Sequence, residues 1–288
     1  LGRYDLIFIQ REALFIGTSV FEYFMGRSKV PVIFDFDDSI WIRDVSQGNR
    51  KLGWLKRPSK TAKIIRYADM VFAGNSYLAN YASGNNKNVI VIPTTIDTSY
   101  HNNIRKSEKT GSRVCIGWTG TETTIKHYET ILPVLIKLKE KYEDRIYMKV
   151  IADIPFSGNG LEIQSEIWKL ETEIESLREF DIGIMPLPDD QWSKGKCGLK
   201  GLQYMALEIP VVLSGVGINA EIICDGKNGF LANTGDEWIE KLSLLIESAG
   251  LRKTLGREGR KTVIEKYSVE SQKEKYLFCF RQLTDKGR

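Results

Sequence analysis

Short runs of apolar residues, many of them β-branched, alternate along the chain with longer stretches in which apolar positions recur every three or four residues. Short and nearly all-apolar runs are typical of parallel strands covered on both faces, and the longer period is typical of amphipathic helices. The alternation therefore predicts an α/β fold, in which right-handed crossovers build parallel sheets flanked by helices. The predicted strands cover residues 5–9, 30–34, 70–73, 89–92, 113–117, 146–151, 182–185, 211–213 and 229–231.

Three stretches of the sequence predict helices. Apolar residues follow one helix face over residues 123–142, where Pro133 interrupts the stretch and predicts a kink. Thr234 and Glu237 have the spacing of a capping box, which predicts that a helix begins there. Residues 268–281 carry a further apolar helix face near the C-terminus.

Polar residues without a helical period fill positions 98–111 and separate two groups of predicted elements. The length of 288 residues suits two domains, because each is then long enough to bury its own core. We therefore predict two Rossmann-like domains, over residues 1–97 and 98–267, with a C-terminal helix of about residues 268–288 packing back on the first. Because the chain begins with Leu1 rather than Met, we expect an internal start.

The charge and composition of the chain exclude several classes of protein. Lys and Arg total 41 against 37 for Asp and Glu, and this net charge of +4 is too mild to indicate a nucleic-acid-binding protein. Two histidines exclude a three-His metal site, and four scattered cysteines without a CxxC pair favour a reducing cytoplasm over a disulfide framework. No apolar run approaches the ~18 residues that a membrane-spanning helix needs.

The strongest local motif is Gly215-Val216-Gly217-Ile218-Asn219-Ala220-Glu221, directly after a predicted strand. Glycines let the main chain approach a ligand closely, and N–H groups at a helix start favour an anion. A dinucleotide site, another phosphate-binding loop and a structural turn all remain open. The Asp225-Gly226 breaker permits only a short helix after the motif, which weighs against the dinucleotide site.

A second loop with two glycines, Gly117-Trp118-Thr119-Gly120-Thr121, lies between a predicted strand and a predicted helix. It follows the first strand of the second domain, at the edge where open α/β sheets bind ligands. The alternative is an ordinary tight turn. If both Gly-containing loops bind, they would hold a diphosphate from two sides.

Two lysines lie at the start of a predicted helix. Lys196 comes just before it and Lys200 in its first turns. Cations there oppose the helix dipole, so their position favours a bound anion, whereas the alternative is a pair of solvated lysines.

Acidic residues follow the second predicted strand as Asp35-Phe36-Asp37-Asp38. Three alternatives remain open for these carboxylates. They bind a divalent metal, or one of them faces the substrate, or Asp38 caps the next loop.

Taken together, the motifs resemble those of bacterial family 4 glycosyltransferases of the GT-B architecture. The resemblance covers nearly the whole chain and is more specific in the second half. It implies that the first domain is incomplete, because the family's usual first strands and Gly-rich loop are missing. The segments that carry it are residues 34–38, 68–78, 91–97, 117–120, 180–186, 195–206, 210–212 and 255–268.

The resemblance implies a nucleotide-sugar donor on the second domain and a glycan or lipid-linked acceptor on the first. Transfer would proceed with retention of configuration, without a metal or separate cofactor, in the synthesis of cell-surface polysaccharide or glycolipid. Asp37 falls where many family members carry a His on the acceptor side. The implied donor-binding residues are Gly117, Trp118, Thr119, Gly120, Thr121, Gly198, Gln203, Gly215, Val216, Gly217, Asn219 and Glu221.

The chain departs from the family pattern in two places. Gly195 and Gln203 stand where the family often has two Glu, and the loop after the first strand of the second domain has Trp118 and Thr119 where the family usually has Arg and Lys. Lys196 and Lys200 are therefore the predicted cations for the leaving diphosphate. Asp37, Lys196 and Lys200 are thus the predicted catalytic residues of a cytoplasmic glycosyltransferase, for which the family allows peripheral contact with the inner face of the membrane. The alternative is a degenerate module that binds a nucleotide sugar without turnover.

Overall fold

The computed structural model describes residues 3–14, 17–42, 57–102, 113–158 and 160–285. The chain divides into two compact units. The first comprises Leu1–Thr94, Asp189–Cys197 and Glu270–Arg288, and the second comprises Thr95–Pro188 and Gly198–Val269.

The elements of the first unit are β1 (Ile7–Gln10), α1 (Val20–Gly26), β2 (Val32–Phe36), α2 (Ser59–Tyr67), β3 (Met70–Ala73), α3 (Ser76–Ser83), β4 (Val89–Val91), α7 (Gln191–Lys194) and α12 (Val269–Thr284). Its strands form a parallel sheet in the order β1-β2-β3-β4. Because side chains alternate between the faces of a strand, Phe34 and Phe36 pack towards helices α2 and α3, whereas Ile33 packs towards α12.

The second unit contains a parallel sheet with strand order β10-β9-β8-β5-β6-β7. Its strands are β5 (Val114–Thr119), β6 (Ile146–Ala152), β7 (Ile163–Ile167), β8 (Ile182–Met185), β9 (Val211–Leu213) and β10 (Phe230–Leu231). Its helices are α4 (Glu122–Glu129), α5 (Leu132–Tyr142), α6 (Glu173–Leu177), α8 (Leu199–Ala206), α9 (Asn219–Ile222), α10 (Gly235–Glu247) and α11 (Ala249–Thr262), with a 3-10 turn at Glu143–Arg145 and a π-helical turn at Val263–Tyr267.

The predicted α/β class is confirmed, since both sheets are parallel and helices flank them. The capping box is also confirmed: the Thr234 hydroxyl accepts from the Glu237 N–H, and the Glu237 carboxylate accepts from the Thr234 N–H. The single helix predicted over residues 123–142 is wrong, because α4 ends at Glu129 and Pro133 lies in the first turn of α5. Proline fits that first turn without losing a hydrogen bond, so it begins a helix rather than bending one.

The strand β7 has no counterpart among the predicted strands. Its sequence, Ile-Gln-Ser-Glu-Ile, is mostly polar because it lies at the sheet edge, and none of its five residues is fully buried. The prediction relied on all-apolar runs, which describe only strands that are covered on both faces.

The predicted boundary at residue 97 differs from the observed division in one important respect. The segment Asp189–Cys197 belongs to the first unit, although its sequence position assigned it to the second domain. Asn75 explains this placement, because its side-chain amide donates to the carbonyls of Lys194 and Lys196. Most of the predicted linker, positions 103–111, lies outside the described residues.

Among the described helices, none combines the length and apolar character needed to cross a bilayer. All four cysteines are free thiols, and only Cys224 is exposed.

Candidate functional site

The carboxyl ends of β5 and β8 are the place where the strand order of the second unit reverses. From β5 the chain continues to β6 and β7 on one side, and from β8 to β9 and β10 on the other. Open α/β sheets bind ligands in the crevice at such a switch point. The loop after β5 and the helix α8, which follows β8 in this unit, are therefore the first elements to consider.

The first two residues of the predicted loop belong to the core and not to the crevice. A Cβ on Gly117 would lie 2.0 Å from the Phe180 ring, so glycine is required there for packing. The Trp118 side chain is 1% exposed and packs beside Tyr128. The prediction that Gly117 and the Trp118 side chain face a donor is corrected accordingly.

The next N–H groups in this loop already have partners. The Thr119 N–H donates to the Tyr204 hydroxyl at 2.9 Å, and the Gly120 N–H to the carbonyl of Ile151 at 2.9 Å. The Thr121 N–H donates to Thr124 Oγ1, which closes a capping box at the start of α4. These N–H groups therefore do not serve a bound diphosphate, because the fold itself uses them as donors.

Lys200 is the predicted residue that reaches this loop. Its ammonium lies 4.3 Å from the centre of the Trp118 ring and 3.3 Å from Thr124 Oγ1. A Cβ on Gly120 would come within 2.7 Å of Lys200 Nζ. Gly120 thus serves to admit the lysine, so that a cation lies at the carboxyl end of β5.

The start of α8 adds a second positive feature beside Lys200. Gly198 precedes the helix in the left-handed conformation, with φ of 72°, and provides no side-chain cap. A Cβ there would lie 2.6 Å from the Ile222 side chain, so glycine is required for both conformation and space. Uncapped N–H groups at a helix start attract anions, and Lys200 strengthens that attraction.

The loop after β9 is more closed than its glycines predict. The Gly215 N–H donates to Asn233 Oδ1 at 2.9 Å, and Val216 is buried. Gly217 adopts a positive φ of 56°, and Glu221 is exposed on α9. Because α9 has only four residues, the structure gives no support to the dinucleotide interpretation of this loop.

Asn219 links this loop to the start of α8. It is fully buried and donates from Nδ2 to the Ser214 carbonyl at 3.1 Å. Its Oδ1 has no hydrogen-bond partner within the described part of the chain and lies on the side of Gly198. The loop after β9 is thus followed by a buried side-chain carbonyl oxygen close to Gly198, at the start of α8.

Gln203 lies one helical turn after Lys200. Its Nε2 is 3.3 Å from Glu173 Oε1 and 3.4 Å from His101 Nε2. Burial lowers the pKa of His101, against the raising effects of the Asp97 backbone and the Glu173 carboxylate. The polar pattern of positions 98–111 predicts a linker, yet the His101 side chain is buried beside Gln203.

In the first unit, the predicted Asp37 and Lys196 belong to one charged cluster. Arg11 Nε is 2.7 Å from Asp37 Oδ1, and its Nη2 is 2.7 Å from Asp38 Oδ2. Lys196 Nζ is 2.9 Å from Asp38 Oδ1 and lies 5.1 Å from the centre of the Trp192 ring. The structure therefore pairs Lys196 with Asp38, which corrects its prediction as a cation for the diphosphate.

The two carboxylates of this cluster differ in what they offer a ligand. Both oxygens of Asp38 bind cations, whereas Asp37 uses Oδ1 for Arg11 and is 38% exposed. Among the described residues, Asp37 Oδ2 has no hydrogen-bond partner. Arg11 has a positive φ of 61°, which is unusual for a side chain of this size, and no sequence pattern indicated its role.

The Asp35–Asp38 run suits a divalent metal, but in the structure the charged side chains of Arg11 and Lys196 bind its carboxylates at Asp37 and Asp38. No group of three or more His, Cys, Asp or Glu residues within the described ranges is arranged to hold a metal ion. Asp35 is the last residue but one of β2. Burial, followed by the nearby Asp37, raises the pKa of Asp35 to about 6, against the lowering effect of Arg11.

Residues 177–262 match the family model of the Glycosyl transferases group 1. Among curated proteins, the chain is 36% identical over 75 residues to the capsular polysaccharide biosynthesis glycosyltransferase CapM of Staphylococcus aureus. It is 41% identical over 75 residues to the glycosyltransferase MJ1178 of Methanocaldococcus jannaschii. Each alignment covers 25% of this chain, and the chain spans only 20% and 21% of these relatives. The matches support a glycosyltransferase group 1 domain over residues 177–262, most of which belong to the second unit.

Solved structures agree with this assignment at the level of the fold. A glycosyltransferase from Rickettsia africae aligns with a TM-score of 0.73 and 16% identity over 98% of this chain and 77% of its own. Sucrose-phosphate synthase from Thermosynechococcus elongatus aligns with a TM-score of 0.74 and 12% identity over 98% and 74%. Anabaena HepE in complex with UDP and glucose aligns with a TM-score of 0.70 and 14% identity, over 96% of this chain and 78% of its own. The fold is that of the GT-B glycosyltransferases.

Proposed function

We propose that the protein is a glycosyltransferase that moves a sugar from a nucleotide-sugar donor to a glycan or lipid-linked acceptor. The nucleotide sugar is a co-substrate, and no metal or separate cofactor is required. The observation that carries the proposal is the position of Lys200, whose ammonium lies at the carboxyl end of β5 beside the uncapped start of α8. The group 1 match over residues 177–262, which includes α8, supports it independently.

The proposed chemistry breaks the bond between the anomeric carbon of the sugar and the diphosphate and joins that carbon to an acceptor hydroxyl oxygen, whose proton passes to the leaving diphosphate. Negative charge grows on the diphosphate as that bond breaks, so fixed positive groups stabilise the transition state more than the ground state. Lys200 and the first N–H groups of α8 are those groups here. A fixed donor of this kind contributes about 2.7–4 kcal/mol in a site without bulk water.

The acceptor is proposed to bind the first unit. Asp37 presents a carboxylate oxygen there, at the carboxyl end of β2, and this oxygen suits a sugar hydroxyl. The resemblance to family 4 enzymes supports retention of configuration, and the likeness to CapM supports a role in surface polysaccharide synthesis. A cytoplasmic location with peripheral contact at the inner membrane face follows from the same proposal.

A second candidate is a module that binds a nucleotide sugar without turnover. Gly195 and Gln203 occupy positions where family members often have Glu, and Lys196 is engaged with Asp38. Of the two lysines predicted to bind the diphosphate, Lys196 is thus paired with Asp38, and Lys200 lies in the second unit.

One experiment separates the candidates. The protein is screened by calorimetry against UDP, GDP, ADP and their glucose and N-acetylglucosamine conjugates, and nucleotide release is measured in parallel with oligosaccharide and lipid-linked acceptors. The transferase predicts release that depends on an acceptor and falls by about tenfold or more in Lys200→Ala. Tight binding without release would favour the second candidate, and the absence of binding to every nucleotide would reject both.

A further inference from the structure

The outward face of α11 carries a row of cations, which we call the α11 stripe. Lys253, Arg257 and Lys261 follow one another at intervals of four residues, so they lie on one side of the helix, and all three are exposed. Within the described part of the chain, none of the three pairs with a carboxylate. Eight residues of helix advance about 12 Å, so the row forms a positive line on the surface of the second unit.

The excess positive charge of the chain is concentrated around this helix. Residues 249–268 contain six Lys or Arg and two Glu, which leaves 35 basic and 35 acidic residues in the rest of the chain. The net charge of +4 therefore comes from α11 and the turn that follows it. A local excess of this kind attracts an anionic surface, whereas the same charge spread evenly over the protein would not.

Helix stability does not account for the α11 stripe. The helix dipole favours cations in the last turn, which includes Lys261 but neither Lys253 nor Arg257. Like charges four residues apart repel each other along a helix, so the stripe is unfavourable for α11 by itself. An anionic surface opposite the stripe would relieve this repulsion.

The inner face of α11 fixes the direction in which the stripe points. Leu255 is buried, and a Cβ on Gly256 would lie 2.1 Å from the carbonyl oxygen of Glu208, so the helix packs closely against that turn. Arg260 donates to the carbonyl oxygen of His101 at 3.1 Å. Because these contacts prevent α11 from rotating, the three cations face the solvent together.

We propose that the α11 stripe docks the protein on an anionic lipid bilayer. Ile264 favours a bilayer over a soluble polyanion, because it lies two turns after Arg257 on the same face and is 47% exposed. Its side chain can enter the boundary between headgroups and acyl chains while the cations stay at the headgroups. The inference goes beyond the proposed function, since it stands on the charge of α11 and does not require sugar transfer.

Three cations predict a reversible attachment that salt weakens. Each Lys or Arg near an anionic leaflet raises the partition constant by about fivefold. We expect the protein to sediment with vesicles of about 30% phosphatidylglycerol in phosphatidylcholine at about 0.05 M NaCl, and about 0.5 M NaCl should release it by screening. Vesicles of pure phosphatidylcholine should bind it at least about tenfold more weakly.

Neutralising the stripe tests where the vesicles bind. Binding to the anionic vesicles should fall by about a hundredfold in the triple variant Lys253→Gln, Arg257→Gln and Lys261→Gln. A control of the same net charge replaces with Gln three exposed lysines elsewhere in the second unit, Lys137, Lys169 and Lys227. The control should lose less than about fivefold, because those charges lie away from the bilayer. Equal weakening in both variants would show an effect of net charge alone and overturn the inference.

Two further variants test the chemistry of the contact. Ile264→Ser should reduce vesicle binding by about threefold or more without changing its dependence on salt, because it removes only an apolar contact. Lys253→Arg combined with Lys261→Arg keeps both charges and should bind like the wild type. If this charge-conserving variant loses binding as the triple variant does, charge is not the cause and the inference fails.

A soluble polyanion provides the last comparison. Wild-type protein that binds polyglutamate but not the anionic vesicles would have a soluble acidic partner, and the lipid-docking surface would be wrong. Vesicle binding needs no nucleotide, so it is measured independently of nucleotide release. Wild-type protein that releases nucleotide with an acceptor but does not bind the vesicles would reject this inference and leave the proposed function standing.

Discussion

The ammonium of Lys200 lies 4.3 Å from the centre of the Trp118 ring, and the missing side chain of Gly120 makes room for it. The indole is buried, and its ring face attracts the ammonium at the carboxyl end of β5. A lysine near the start of a helix is unfavourable by itself, because it opposes the helix dipole. The contact with Trp118 shows how this fold keeps the cation there.

Removing the ammonium should weaken binding of the diphosphate much more than it weakens the fold. We expect Lys200→Met to lower the affinity for the best nucleoside diphosphate by about tenfold to a hundredfold, which is typical of a charge-assisted hydrogen bond. Calorimetry measures this change. The matched control is Lys253→Met, since Lys253 is exposed on α11. Equal affinities in both variants would remove Lys200 from the donor site.

Adding one methyl group at Gly120 should displace that ammonium. The new Cβ would lie 2.3 Å from Trp118 Cη2 and 2.7 Å from Lys200 Nζ, so the lysine and the indole must both move. We expect Gly120→Ala to lower diphosphate affinity and to cost about 1–3 kcal/mol of unfolding free energy, as overpacking does. Gly235→Ala is the control, because its Cβ meets only Val134 at 3.7 Å. If Gly120→Ala binds and melts like the control, the close approach of Lys200 is wrong.

The sequence predicted the strands that are buried, because all-apolar runs directly reflect burial on both faces. It did not predict β7, whose polar residues at the sheet edge resemble a loop. In the candidate site, the sequence correctly predicted that Lys200 lies in the first turn of a helix. That choice needed only local spacing.

Other parts of the site depend on contacts between distant residues, which spacing cannot supply. Trp118 was chosen as part of a loop, yet burial turns its side chain into the core. Lys196 follows β8 in the sequence, but Asn75 and Asp38 hold it in the first unit. The contacts of Arg11 and Glu173 arise only when segments 26 and 30 residues away, carrying Asp37 and Gln203, pack against them.

Backbone strain at Arg11 predicts an unusual order of stability. A φ of 61° disfavours any residue with a Cβ, whereas glycine adopts it freely. Arg11→Gly and Arg11→Ala both lose the ion pairs with Asp37 and Asp38, so they differ mainly in this strain. We expect the glycine variant to be more stable by about 1 kcal/mol in urea unfolding.

The control for Arg11 is the same pair of substitutions at Arg27, which has an ordinary φ of −100°. There the alanine variant should be the more stable, since glycine has the larger backbone entropy when unfolded. The same order at both positions would argue against a left-handed Arg11.

Replacing the buried Asp35 with a neutral residue should increase the free energy of unfolding, and the increase should depend on pH. Its pKa in the folded protein is raised from 3.8 to about 6, first by burial and then by Asp37, so the folded state binds the proton more tightly than the unfolded state. A raised carboxyl pKa adds stability at low pH, and this contribution disappears as the pH rises through about 6. Asp35→Asn removes the buried charge, and we expect it to raise the unfolding free energy by up to about 3 kcal/mol at pH 8. The gain should vanish near pH 4.

Urea titrations across this range, with the exposed Asp5→Asn as the control, provide the measurement. A gain that is equal at both pH values would show that Asp35 is not a buried titrating group.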